Sequence, residues 1–149
     1  MKLMVGSKTP DFTALDQNEK ERTLSDYKGK WLLIYFYPKN DTPGCTKEAC
    51  GIRDNYEDLK ELVEIVGVSK DSVESHKKFA EKYELPFTLL SDPKREMIKA
   101  YEAAVGGLTR RISFLNDPGR RIVRIYLKVT PDKHAGEVIA DLKLLRNSK

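Results

Sequence analysis

The chain has two thiols, Cys45 and Cys50, and they follow a threonine–proline pair, Thr42-Pro43. Threonine is a good helix N-cap and proline suits the first helical position. The pair therefore predicts a helix starting near Thr42, with Cys45 in its first turn. Unpaired N–H groups and the positive end of the helix dipole favour an anion there, and so favour thiolate, the nucleophilic form, over thiol. At about 100° per residue Cys50 is turned about 140° away from Cys45, and in a regular helix the two Cα atoms lie roughly 8–9 Å apart. A disulfide needs about 4.4–6.8 Å. Either the two thiols never pair, or this turn unwinds. Gly44 and Gly51 flank the pair, and each weakens a helix by roughly 1 kcal/mol relative to alanine. Taken alone, such cysteines are more often ordinary buried thiols than nucleophiles.

The elements around them show how they are positioned. Trp31-Leu-Leu-Ile-Tyr-Phe-Tyr37 is the longest apolar run, and its aromatic and branched residues fit a strand covered on both faces. Pro38 ends it, because proline cannot donate to a sheet ladder. A buried strand thus delivers Cys45 to a helix start. Ala49, Ile52, Tyr56 and Leu59 continue that helix at helical spacing. Before the run, residues 7–30 read as short extended pieces around Phe12–Leu15 and Arg22–Leu24. After the helix, Leu62–Val68 reads as a strand, and Asp71 with Glu74 as a capping box for a helix through Phe79 and Tyr83. Phe87–Leu90 is a third strand, and Asp92-Pro93 starts a short helix carrying Met97, Ile98 and Tyr101. Gly106-Gly107 breaks the pattern. Residues 110–116 and 121–129 form a hairpin around Asn116-Asp-Pro-Gly119, which is strong turn chemistry. Val123, Ile125, Leu127 and Val129 alternate there with polar or charged positions, predicting one buried face. Val138, Ile139, Leu142 and Leu145 mark a final helix over about 132–147. The expected fold class is α/β, with a central mixed β-sheet flanked by helices and ending in a C-terminal antiparallel hairpin and final helix.

A length of 149 residues suits a single domain spanning 1–149. No apolar stretch reaches the roughly 18 residues of a membrane span, and the first residues lack a signal-peptide core of about 7–15 apolar residues. No membrane association and a cytoplasmic location are expected. In a reducing compartment two cysteines are more often catalytic or metal-binding than a structural staple. His76 and His134 show no short zinc-type spacing with them, and both are expected at the surface, so no metal is expected. The net charge of +4 is densest between Arg110 and Lys128. A solvated hairpin face explains that stretch better than nucleic-acid binding, because no nucleic-acid motif accompanies it.

Pro38-Lys-Asn-Asp-Thr-Pro-Gly-Cys-Thr-Lys-Glu-Ala-Cys50 resembles the active-site signature of peroxiredoxins, and its Cys-x4-Cys spacing resembles the peroxiredoxin Q branch, also called bacterioferritin comigratory proteins. Pro10–Thr13, Leu24–Lys30 and Arg111–Asp117 resemble the family's N-terminal segment, its lead into the central strand and its arginine-bearing strand. The sequence departs from the family at Ile112, where serine is common, and at Asn116, usually apolar. The resemblance implies a thioredoxin-like fold and a thiol-dependent peroxidase that needs no cofactor. By position, Cys45 is the peroxidatic cysteine, Thr42 the hydroxyl that hydrogen-bonds thiolate and peroxide, Pro38 the shield against water, Arg111 the guanidinium that polarises the pocket, and Cys50 the resolving cysteine. Glu48 and Arg53 match polar positions common in the family, and either buttress the site or make helix-surface contacts. The implied substrates are hydrogen peroxide and alkyl hydroperoxides. The implied reductant is thioredoxin or a glutaredoxin-like protein, acting on a monomer or weak homodimer. A general disulfide oxidoreductase fits less well, since no Cys-x-x-Cys is present.

Overall fold

The computed structural model describes residues 1–147. In chain order the elements are β1 (Thr13–Asp16), β2 (Glu21–Thr23), a 3-10 turn (Leu24–Tyr27), β3 (Leu32–Phe36), α1 (Pro43–Asp54), α2 (Tyr56–Leu59), β4 (Glu64–Ser69), α3 (Val73–Lys82), β5 (Thr88–Ser91), α4 (Glu96–Ala100), β6 (Ala104–Val105), β7 (Leu108–Thr109), β8 (Ile112–Asn116), β9 (Ile122–Tyr126) and α5 (His134–Arg146). Seven strands make one mixed sheet in the order β2-β1-β5-β4-β3-β8-β9. β3 lies at its heart, parallel to β4 and antiparallel to β8. The predicted sheet, terminal hairpin and last helix are all present. Gly106-Gly107 is the tip of a small separate hairpin, β6–β7.

The apolar run is continuous because β3 feeds two cores. Successive strand side chains point to opposite faces. Leu33, Tyr35 and Tyr37 face the layer holding Ala49 and Ile52 of α1, Phe79 of α3 and Val138 and Leu142 of α5. Leu32, Ile34 and Phe36 face Leu24, Tyr27, Met97, Ile98 and Tyr101. Within the first layer the backbone makes room for an aromatic. Tyr35 is paired with Gly67 on β4, and a Cβ at Gly67 would stand 2.7 Å from Tyr35 Cζ.

Four local expectations are corrected. The cap of α3 is Ser72, whose Oγ accepts from the Ser75 N–H at 3.1 Å, not Asp71. Asp71 instead accepts from Ser69 Oγ and from the Asn40 N–H. Asp92 does not start α4 directly, because a turn intervenes and Arg95, in the left-handed region at φ 61°, is the residue before the helix. Asp92 still serves α4, accepting from the Ile98 N–H at 2.8 Å. The alternation expected in β9 is broken, since the register shifts opposite Leu115 and Asn116. Such a bulge puts two residues opposite one, so Val123 packs on one core and Ile125 on the other, while Leu127 lies beyond the strand and is exposed. Both histidines are buried, not at the surface: His76 is 0 % exposed and His134 1 %.

Asn116, the polar departure from the family pattern, sits at that bulge. Its amide donates to the Leu32 and Phe114 carbonyls and its oxygen accepts from Thr9 Oγ1. An apolar residue would leave the Thr9 hydroxyl without this acceptor.

Gly67→Ala forces the Tyr35 ring out of its place between β4 and the first core. Overpacking of this kind costs about 1–3 kcal/mol. Urea unfolding is expected to show a loss in that range, and an unchanged midpoint would contradict the close approach.

Candidate active site

α1 opens as its sequence requires, with Thr42 extended at the N-cap and Pro43 first in the helix. The bond from Thr46 N–H to the Thr42 carbonyl, 2.8 Å, belongs to its first turn. The N–H groups of Gly44 and Cys45 precede it, and first-turn donors have no intrahelical partner. Cys45 is 2 % exposed, so almost all of its surface is closed to solvent.

The opposite wall comes from the far end of the chain. Ile112 at the start of β8 pairs with Phe36 at the end of β3. Arg111, one residue earlier, therefore lies beside the connection from β3 to α1. Its Nη2 donates to Cys45 Sγ at 3.3 Å and its Nη1 to Glu48 Oε1 at 2.7 Å. Residues three apart share a helix face, which is why Cys45 and Glu48 meet the same guanidinium. Burial works against the Arg111 cation, but the Cys45 sulfur and the Glu48 carboxylate outweigh it and its pKa is raised. Glu48 is fully buried, and burial lifts its pKa to about 7 against the pull of Arg111. Gly44 makes the arrangement possible, since a Cβ there would come within 2.9 Å of Arg111 Nη2.

Pro38 is half-buried at the mouth of this connection. Thr42 is oriented differently from the expectation that it donates to the thiolate. Its Oγ1 donates to the Lys39 carbonyl at 2.9 Å, leaving the oxygen lone pairs as acceptors. Cys50 is half-buried, and both cysteines are free thiols in an unbroken α1. Of the two adjacent arginines, Arg111 is the one that contacts Cys45. Glu48 buttresses Arg111, whereas Arg53 reaches the Tyr83 carbonyl at the end of α3.

A buried polar group that the sequence did not reveal holds the connection in place. Tyr37 OH donates to Asn40 Oδ1 at 2.6 Å, and Asn40 Nδ2 approaches His76 Nδ1 at 2.9 Å. The amide donates, so Nδ1 is the lone-pair nitrogen and His76 is neutral. Burial pushes its pKa down to about 4. Asn40 and His76 are 36 positions apart, and no local pattern links them. His76 does share a helix face with buried Phe79, the one sign that it points inward.

In the basic stretch, Arg111 is taken up by the site, Arg121 donates to the Gly6 carbonyl and Arg124 to the Val123 carbonyl. Among the described residues no group of three His, Cys, Asp or Glu side chains is arranged to hold a metal ion, and no helix is long and apolar enough to cross a membrane.

Comparison with known proteins agrees with this geometry. Residues 5–125 match the AhpC/TSA family. The chain is 44 % identical to the chloroplastic peroxiredoxin Q of Sedum lineare, over 99 % of this chain and 81 % of that protein. A mutant of Xylella fastidiosa PrxQ superposes with a TM-score of 0.93 at 30 % identity, covering 98 % of this chain and 99 % of that one. The bacterioferritin comigratory protein of Xanthomonas campestris, described for its alkyl peroxide reduction activity, superposes with a TM-score of 0.88 at 32 % identity, over 97 % and 98 % of the two chains. The sheet and helices are those of a thioredoxin-like fold.

Two substitutions test the site. Gly44→Ala improves helix propensity but pushes on the guanidinium that partners buried Glu48, so no gain in thermal stability is expected. The displaced guanidinium is expected to slow oxidation of Cys45 about tenfold or more, and equal rates would sink the positioning role of Gly44. Glu48 supplies the second test. Its pKa moves from 4.5 to about 7 on folding, so it is protonated in both states below pH 4.5. Between those values the unfolded chain ionises first, and the fold loses stability as pH rises. Relative to Glu48→Gln, stability by urea unfolding is expected to fall by on the order of 2–3 kcal/mol across that window. A flat difference would contradict it.

Proposed function

The chain belongs to the AhpC/TSA family and is a thiol-dependent peroxidase of the peroxiredoxin Q type, and on that premise we propose how its residues share the reaction. The Cys45 thiolate attacks one oxygen of a hydroperoxide in line with the O–O bond. That bond breaks, its electron pair leaves on the distal oxygen with a proton as water or alcohol, and Cys45 becomes a sulfenic acid. Charge spreads over both oxygens on the way. Arg111 and the first-turn N–H groups stabilise it as donors already in place, Thr42 accepts from the peroxide hydroxyl, and Pro38 keeps bulk water out. The observation that carries this reading is the 3.3 Å contact between Arg111 Nη2 and Cys45 Sγ at a helix start.

Regeneration needs a second thiol. Local unwinding of α1 lets the Cys50 thiolate attack the Cys45 sulfenic sulfur, forming a disulfide and releasing water. A dithiol protein of the thioredoxin or glutaredoxin type then reduces it by exchange. The substrates are hydrogen peroxide and alkyl hydroperoxides, a reading favoured by the activity attributed to the Xanthomonas relative. Residues 1–149 act as one domain, as a monomer or weak homodimer, in a reducing compartment such as the cytoplasm where thiols are kept free.

Cys45→Ser is expected to abolish peroxide consumption in a coupled thioredoxin assay, and any residual thiol-dependent turnover would refute the assignment. Cys50→Ser is expected to consume one equivalent of peroxide and then stop. Continued recycling by thioredoxin at the parent rate would mean that another thiol resolves Cys45.

A further inference from the structure

We propose that Tyr83, at the end of α3, clamps both ends of α1 and sets how readily the segment from Cys45 to Cys50 unwinds. The inference rests on the reading that those two thiols pair. Ahead of α1, Tyr83 OH donates to Asp41 Oδ1 at 2.8 Å, while Lys82 Nζ meets Asp41 Oδ2 at 2.8 Å. Asp41 sits in the left-handed region at φ 60°, a conformation that its short polar side chain tolerates. Near the other end, Arg53 Nη1 donates to the Tyr83 carbonyl at 2.7 Å, filling an acceptor that a helix C-terminus leaves open. The Tyr83 ring packs edge-on against buried Phe79, centroids 5.3 Å apart, which ties the clamp to the core. One residue thus brackets a helix of 12 residues that contains both cysteines. The brace favours the helical form, in which Cys45 meets Arg111 and the two sulfurs cannot join. Asp41 and Lys82 are 49 % and 56 % exposed, and contacts between exposed charges are weak, as suits a latch that must open once in every turnover.

The latch decides between two fates of oxidised Cys45. The sulfenic acid either condenses with Cys50, losing water, or meets a second hydroperoxide, which oxidises it to sulfinic acid and leaves as water or alcohol. Loosening the brace should favour the first. Arg53 also lies near Cys50, so replacing it would disturb the thiol as well as the brace. Tyr83→Phe removes the bond to Asp41, Lys82→Met removes both the ion pair with Asp41 and the ammonium 5.2 Å from the Tyr83 ring centroid, and both spare the cysteines. In rapid-mixing experiments Tyr83→Phe is expected to speed disulfide formation about three- to tenfold and Lys82→Met about two- to fivefold, with oxidation of Cys45 by hydrogen peroxide within about twofold of the parent in both. Mass spectrometry at excess peroxide should then show less sulfinic Cys45. Parent-like rates of disulfide formation in both variants would refute the clamp while leaving the pairing intact. Slower Cys45 oxidation in Tyr83→Phe would also refute it, since Tyr83 would then shape the site. A parent that forms no Cys45–Cys50 disulfide would remove the pairing and the clamp together.

Discussion

A guanidinium held between a carboxylate and a thiol is the constraint on which the rest of this structure turns. A charge on buried Glu48 is expensive when unpaired, and burial already lifts its pKa to about 7. Arg111 relieves that cost and in doing so points its second nitrogen at Cys45. The geometry is over-determined. The β3–β8 register brings Arg111 to the end of β3, the helical spacing puts Cys45 and Glu48 on one face, and the missing side chain at Gly44 leaves the guanidinium its space. A slip of β8 by one residue would turn Arg111 to the other side of the sheet.

What the sequence made legible was local. The strand Leu32–Phe36 announces itself as a run of apolar residues, and the Thr42-Pro43 cap marks the start of α1 to the residue. The arginine was found only through resemblance, because nothing near residue 111 says that it folds back on residue 45. Where local pattern and tertiary context compete, the pattern misleads. His76 stands beside Lys77 and Lys78 and looks like surface, yet the helix turns it inward with Phe79. The bulge in β9 left no mark in the sequence, and apolar residues at every second position suggested a regular strand that ends sooner than expected. Thr42 was correctly placed at the helix start, but the direction of its hydroxyl depends on where the Lys39 carbonyl happens to lie.

The connection between β3 and α1 is held by polar groups rather than apolar ones. Tyr37, Asn40 and His76 bond to one another, and the Asn40 N–H reaches Asp71. A buried polar network is costly when half satisfied and rigid when complete. It fixes the approach to Cys45 from the β4–α3 side, while Arg111 fixes it from β8. The two supports come from opposite edges of the same strand, so the thiol sits where a parallel and an antiparallel neighbour meet. The apolar layer beneath, with Tyr35 lying across Gly67, completes the floor.

The span of chain between the cysteine and its arginine also has a meaning in time. The two are 66 positions apart. At synthesis rates of roughly 5–20 residues per second, Cys45 is joined to the chain about 3–13 s before Arg111 is, and waits longer still for β8 to find β3. Throughout that interval the nascent protein carries its sulfur without the guanidinium that will later face it. The chain is therefore born with its nucleophile unarmed, and arms it only when the last strands of the sheet close.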